Sequence, residues 1–293
     1  MITALDTNRD VRPFAPWVKL QGFTLVLRYY TALASPKALT RAEALALVAK
    51  GFTLGAVYQD RGNTAVDFSA ERGTAAGLRA LRYAMHTIGQ PRGTGIYFSV
   101  DFDASQREIT EHIVPHFQSI RAALIEAGEA QPSYRIGAYG SGLLLKNLLD
   151  AGLIELAWLS MSTGFRESKA FYASNRWHLH QKLEVKDVST PAGKFAYDPN
   201  EVAASGCGDF SLELPEATSV AATREPAHSF RVNARAGLLL RKGPGKEFER
   251  IRSLTAGTEL FVLEHSGDWA LVDLQGDGFA DGYCHGGFLS AME

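Results

Sequence analysis

The segment Ile96-Tyr97-Phe98-Ser99-Val100-Asp101-Phe102-Asp103 sets two carboxylates two residues apart at the end of an extended apolar run. Side chains alternate along a strand, so Ile96, Phe98, Val100 and Phe102 share one face, and Tyr97, Ser99, Asp101 and Asp103 share the other. Two carboxyl groups in one cleft cannot both ionise freely. Repulsion and partial burial raise one pKa, which leaves an acid beside a base. Cleavage of a glycosidic bond needs that division of labour. The competing reading is a cap on a helix opening near Ser105, although a cap needs one acceptor and two face the same way here.

Asp6, ending the first extended run, and Asp198, within the last, are expected at the same rim. For each, a salt bridge or loop cap is an equal alternative. Arg28, Tyr58, Gln59, Tyr139, Trp158 and Gln181 fall near strand ends and are expected to bind substrate. Tyr139 and Trp158 are the preferred sugar-stacking residues, because the C–H faces of sugars pack on π surfaces. Burial in the core is the competing reading for each. His178 and His180 share a face, a spacing that can ligate a metal. No second histidine cluster accompanies them on the barrel strands, so neither a metal nor another cofactor is expected. Cys207 lacks a placed histidine partner and is expected to be a buried or loop thiol.

These side chains need elements to position them. Strand-like runs fall at 2–6, 23–30, 52–59, 95–103, 134–140, 156–162, 177–183 and 195–202, with helical patterns at 40–50, 70–88, 107–127 and 141–151. Thr40 with Glu43 forms a capping-box pattern. Gly51, Gly89, Gly128 and Gly152 stand where left-handed C-caps belong. Repeated βα units imply a parallel sheet covered by helices. Eight units in about 200 residues predict an α/β chain folded as a TIM-type (β/α)8 barrel over 1–210, with its site at the C-terminal strand ends. An open doubly wound sheet is less favoured, because no Gly-rich phosphate loop follows the first strand.

The 293 residues suffice for two domains. Residues 211–229 read as a linker rich in Ala, Ser, Thr, Glu and Pro. From 230 to 293, short strands separated by Gly turns predict a small all-β barrel. A net charge of −2 with no basic block argues against nucleic acid as a partner. No apolar run is long enough to span a membrane. Met1–Asp6 has neither a basic n-region nor a long apolar h-region, so no Sec signal peptide is expected. Cys207 and Cys284 fall in different domains and predict no disulfide framework.

Two resemblances follow. Asn233, Arg235, Leu238, Leu240, Arg241, Gly243-Pro244-Gly245, Leu254, Gly257-Thr258, Gly267-Asp268-Trp269, Val272, Gly282-Tyr283 and Phe288-Leu289 occur in the order found in bacterial SH3 domains. That resemblance implies docking on peptidoglycan peptides. Trp269 and Val272 read as core or core edge, with an exposed aromatic groove as the binding element. Leu5-Asp6-Thr7, Arg28-Tyr29-Tyr30, Leu39-Thr40, the strand-four segment, Trp177, Gln181 and Asp198-x-Asn200 resemble the barrel lysozymes of glycoside hydrolase family 25. They resemble more closely the related glycoside-hydrolase-like domain of unknown function. The resemblance implies a wall glycan, cut between N-acetylmuramic acid and N-acetylglucosamine.

It also implies roles: Asp103 as general acid, Asp101 as charge-stabilising partner or orienter of a 2-acetamido nucleophile, and Asp6 and Asp198 positioning substrate or water. Family 25 holds Glu, its proton donor, where Asp103 stands one methylene shorter. Two alternatives stay open: a non-catalytic wall-binding protein with a degenerate barrel, and a hydrolase of another polysaccharide or of a wall amide bond. Action on the cell wall, after lysis or dedicated secretion, is the expected setting.

Overall fold

The computed structural model describes residues 2–31, 35–125, 129–214, 229–241, 243–274 and 281–292. It divides into two units, Met1–Leu214 and Pro215–Glu293. Most of the expected linker (215–228), the cap expected at Gly128 and the turn at 275–280 lie outside the described residues.

In the first unit β1 (Ile2–Asp6), β2 (Leu25–Tyr30), β3 (Thr53–Tyr58), β4 (Gly95–Ser99), β5 (Arg135–Gly140), β6 (Leu156–Leu159) and β7 (Leu179–Gln181) pair successively in parallel. β8 (Val185–Thr190) turns tightly into β9 (Gly193–Val202), and β9 pairs antiparallel with both β7 and β1. The barrel therefore closes with eight strands, as expected, but the last one is reversed. The reason is length. A parallel return needs a crossover of about a dozen residues or more, usually helical. Residues 182–192 hold the hairpin strand β8 and no helix.

Alternation sorts the two faces. Leu5, Val26, Ile96, Phe98, Ala157 and Leu159 pack outward among the helices. Ala4, Leu25, Leu27, Val57, Tyr97, Leu156, Trp158 and Leu179 fill the interior, with Cys207 beneath them. The Tyr97 hydroxyl donates to the Cys207 carbonyl at 2.8 Å, and the Trp158 ring meets Tyr97 and Tyr139 edge-on at 5.5 and 5.2 Å. The Thr40 hydroxyl caps helix Arg41–Ala49 by accepting from the Glu43 backbone at 3.1 Å. Gly51, Gly89 and Gly152 close helical segments at φ of 77°, 69° and 66°, a region that glycine enters without steric cost.

The second unit is a seven-stranded antiparallel sheet in the order β12-β11-β15-β14-β13-β10-β16. Its strands are β10 (Ser229–Val232), β11 (Leu238–Arg241), β12 (Arg250–Leu254), β13 (Glu259–Ser266), β14 (Trp269–Asp273), β15 (Gly282–His285) and β16 (Leu289–Ala291). Val232, Leu238, Leu240, Leu254, Leu260, Ala270, Val272 and Cys284 form its core. Trp269 is half-buried and lines a groove of about 390 Å³ with Arg235, Lys246, His285 and Phe288. Cys207 and Cys284 are both free and buried.

Arg28 corrects an expectation. On β2, Leu27 and Tyr29 face the interior while Arg28 faces the helices, fully buried. Its guanidinium grips Glu43 through two bonds of 2.8 and 3.1 Å and donates to the Thr7 and Lys37 carbonyls at 2.6 and 2.9 Å. Glu43 Oε1 also accepts from the Val11 amide at 3.0 Å. The pair ties the loop after β1 to the chain entering helix Arg41–Ala49, and Arg28 does not line the pocket at the strand ends. Removing one partner strands a buried charge. Arg28→Ala is expected to lower unfolding free energy by about 3–5 kcal/mol in urea titrations, and a loss below about 1 kcal/mol would contradict this role.

Candidate active site

The upper mouth of the barrel is a pocket of about 200 Å³ lined by Asp6, Tyr29, Val57, Gln59, Ser99, Asp101, Tyr139, Trp158, Met161, Gln181 and Asp198. The antiparallel pairing of β1 with β9 sets Asp6 directly across from Asp198. Asp6 is almost wholly buried. Asn200 Nδ2 donates to Asp6 Oδ2 at 2.8 Å, and Gln181 Nε2 bridges to Asp6 Oδ2 at 3.1 Å and Asp198 Oδ2 at 3.2 Å.

Burial is the largest cause raising both carboxyls. Asp6 is pushed up to about 8, with repulsion from Asp198 adding to burial and the two amides opposing it. Asp198 is pushed up to about 6, with repulsion from Glu184 adding to burial. Like charges this close ionise in two steps that belong to the pair rather than to either residue. Both shifts favour retention of a proton by the pair where an ordinary carboxyl is already ionised.

Asp101 stands opposite, on the segment that leaves β4. The strand ends at Ser99, and the Val100 amide still bonds the Tyr139 carbonyl at 2.9 Å. The Asp101 amide then turns to the Gly62 carbonyl at 2.8 Å. Gly62 is required there, since a Cβ would stand 2.9 Å from the Ser99 carbonyl. Burial raises the Asp101 carboxyl, and the Lys37 ammonium opposes that shift. Lys37 also bonds Gln59 Oε1 at 3.0 Å and lies over the Tyr29 ring at 5.0 Å.

The structure does not bring Asp103 to the mouth. The alternation expected over 95–103 stops where the ladder stops. Phe102 packs against the outer core, and the next side chain swings to the loop after β6. There Asp103 accepts from the Arg166 amide and guanidinium, both at 2.8 Å. Neither Asp101 nor Asp103 caps the following helix. Ser105 does so, in a capping box with Glu108.

Of the other expected residues, Gln59, Tyr139, Trp158 and Gln181 line the mouth. Tyr58 does not. It points outward and lines a separate hollow of about 440 Å³ with Asp60, Arg79 and His116. Tyr29, Lys37 and Asn200 were not singled out as binding residues, although strand parity places Tyr29 and Asn200 inward. His178 Nδ1 accepts from the Ala157 amide at 3.1 Å, and His180 bonds Glu201 at 3.1 Å. Among the described residues, no three His, Cys, Asp or Glu side chains are grouped to hold a metal.

Because Asp6 ionises above its ordinary range, the folded state keeps a proton that the unfolded chain releases near pH 4. This group's contribution to stability is fully present below pH 4 and is lost as pH rises through about 8. Asp6→Asn is expected to remove that loss. Between pH 5 and 9 its unfolding free energy should fall by at least about 1 kcal/mol less than that of the wild type, measured by urea titration. Parallel curves would contradict the buried-proton reading.

Residues 17–202 match the family model described as Rv2525c-like, glycoside hydrolase-like domain, and residues 236–290 match that of the bacterial SH3 domain. The uncharacterized protein YbfG of Bacillus subtilis (strain 168) is 31% identical over 168 residues, 56% of this chain and 23% of that protein. The uncharacterized protein FadG of the same organism is 28% identical over 201 residues, 67% of this chain and 33% of that protein. The chain thus matches a third or less of the length of these relatives. Among solved structures, the Mycobacterium tuberculosis Tat-secreted protein Rv2525c, in complex with L-tartrate, superposes with a TM-score of 0.58 at 22% identity. That superposition covers 71% of this chain and 98% of the other, and it shows a shared fold.

Proposed function

The chain belongs to the Rv2525c-like, glycoside hydrolase-like domain family, and from that premise we propose that it hydrolyses the glycan strand of peptidoglycan by carboxylate acid/base catalysis. The observation that carries this reading is the placement of Asp6 against Asp198, both carboxyls raised by burial, facing Asp101 across a mouth at the strand ends. In this reading the pair donates its proton to the glycosidic oxygen as the C–O bond breaks. Asp101, whose carboxyl burial raises while Lys37 partly offsets that shift, opposes as an anion the positive charge that develops at the anomeric carbon or orients a 2-acetamido group as internal nucleophile. Water then completes the reaction and returns its proton to the pair. Tyr139, Trp158 and Gln59 frame the sugar.

The SH3 unit would hold the enzyme on its polymer. Its groove joins the aromatic surfaces of Trp269, His285 and Phe288 to the cationic Arg235 and Lys246. Such a surface suits a wall peptide carrying free carboxylates. A site of action at the wall, outside the cytoplasm, is supported by the solved relative, which is Tat-secreted.

One observation favours a second reading, a non-catalytic wall-binding protein. Strand four brings one carboxylate to the mouth rather than two, because Asp103 is engaged by Arg166. Digestion of purified peptidoglycan separates the two. The hydrolase reading expects release of reducing ends, with kcat reduced about 10²–10⁴-fold in Asp101→Asn and in Asp6→Asn. Asp103→Asn should stay within a few-fold of wild type, since its ion pair is a half-exposed surface contact. Wild-type protein that sediments with the wall but releases no reducing ends would establish the second reading instead.

The pH profile is a separate check. The singly protonated pair should give a bell-shaped kcat/KM with apparent limits of about 6 and about 8. A profile still rising above pH 9 would exclude the pair as the proton donor.

A further inference from the structure

Trp158 and Tyr139 sit at the mouth, but their polar atoms are directed at two amides. Trp158 Nε1 donates to Asn200 Oδ1 at 2.7 Å, and Asn200 Nδ2 donates onward to Asp6 Oδ2 at 2.8 Å and the Asp198 carbonyl at 3.0 Å. The Tyr139 hydroxyl donates to Gln181 Oε1 at 2.8 Å, and Gln181 Nε2 donates onward to Asp6 and Asp198. An amide can be turned over with little change of shape, so its partners decide which end faces which way. An indole N–H can only donate. Asn200 must therefore turn its oxygen to Trp158 and its NH₂ to Asp6. Trp158, Asn200 and Gln181 are all buried, so no solvent molecule substitutes freely for these donors.

We propose that Trp158 and Tyr139 are positioning residues, which lock Asn200 and Gln181 as donors and so confine the pair's single proton to the space between the two carboxyl groups. Asp6 Oδ2 is committed to accepting from both amides and cannot carry the proton toward either. Asp198 Oδ1 is buried and finds no donor among its neighbours. A proton held between the carboxyls is the donor it lacks. The remaining groups that act on the pair sit elsewhere. Tyr29 of β2 and Asp101 after β4 share the pocket, while Glu184 and Lys186 of the hairpin act on Asp198 with opposite signs. None of these four is hydrogen-bonded to the Asn200 or Gln181 side chain. The relays also give Trp158 and Tyr139 a task distinct from sugar stacking, and this deepens the hydrolase reading without depending on turnover.

The test is titration of the aspartate carboxyl ¹³C resonances in the full chain, which reads the pair whether or not it cleaves anything. Trp158→Phe keeps an aromatic ring against Tyr97 and Tyr139 but frees Asn200 to turn. Tyr139→Phe frees Gln181. Each substitution weakens donation to the ionised pair, so the upper titration should move upward by about one pH unit. The lower titration should also shift, because the two steps are coupled. Trp158→Tyr, whose hydroxyl can donate, should shift the pair less than Trp158→Phe. Thermal unfolding identifies any variant that fails to fold, and Tyr139→Phe with Gln181→Leu then decides the matter. Folded Trp158→Phe and Tyr139→Phe proteins whose titrations superimpose on the wild type would overturn the proposal. Loss of reducing-end release with unchanged titration would likewise assign Trp158 and Tyr139 to substrate contact alone.

Discussion

The register of β9 against β1 is the constraint on which the site depends. Seven parallel strands leave a gap that only a short hairpin fills, and the returning strand runs backwards. Its pairing sets Asp198 opposite Asp6 and carries Asn200 to the same interior face. A slip of one residue would turn both side chains out of the barrel, because alternation has a period of two. The two carboxyls are thus brought together by the backbone hydrogen bonds of the closing ladder.

Holding them there is costly in an ordinary apolar interior. An ionised carboxylate without partners is not retained when buried; it takes up a proton instead. Here the cost is offset on two sides. The raised carboxyls favour retention of a proton, which relieves the repulsion, and four amide N–H bonds of 2.8 to 3.2 Å reach the pair and its backbone. Beneath them the Tyr97, Trp158 and Tyr139 rings fill the barrel and keep water out of the floor. A dry floor and a polar rim are what make neighbouring acids differ in strength.

Much of this was legible in the sequence, and each failure has its own physical cause. Strand order, eight-strand closure, the Thr40 cap and the C-caps at Gly51, Gly89 and Gly152 follow from local pattern and propensity. Parity on β4 correctly placed Ile96 and Phe98 outward and Tyr97 inward. The same parity, carried along β2 and β3, separates Tyr29 and Gln59 from Arg28 and Tyr58. Proximity to a strand end had grouped Arg28 and Tyr58 with Gln59 and passed over Tyr29. Asp103 failed differently. Parity holds only while the ladder holds, and no residue type in Ser99-Val100-Asp101 marks where β4 lets go. The bond from the Asp101 amide to the Gly62 carbonyl joins segments distant in sequence. The reversed last strand was open to inference from connection length, since residues 182–192 are too few for a helical crossover.

The two sides of the mouth differ in how firmly they are held, and the chemistry follows that difference. Asp6 and Asp198 stand on paired strands, each side chain fixed by amides that are themselves fixed. Asp101 stands on a loop, held by one backbone bond to Gly62 and by the field of Lys37, a side chain on the segment before helix Arg41–Ala49. A proton donor needs constant geometry, because proton transfer falls off steeply with distance and angle. A group that balances a developing positive charge tolerates adjustment, because Coulomb attraction varies slowly with distance. The rigid pair therefore suits the acid, and the loop carboxylate suits the counter-charge. Asp103 needs neither kind of placement. Gripping Arg166 through backbone and side chain, it anchors the β6 loop that carries Met161 to the rim. The second acid of strand four serves the wall of the site, and the carboxyl pair stands on the strands that close the barrel.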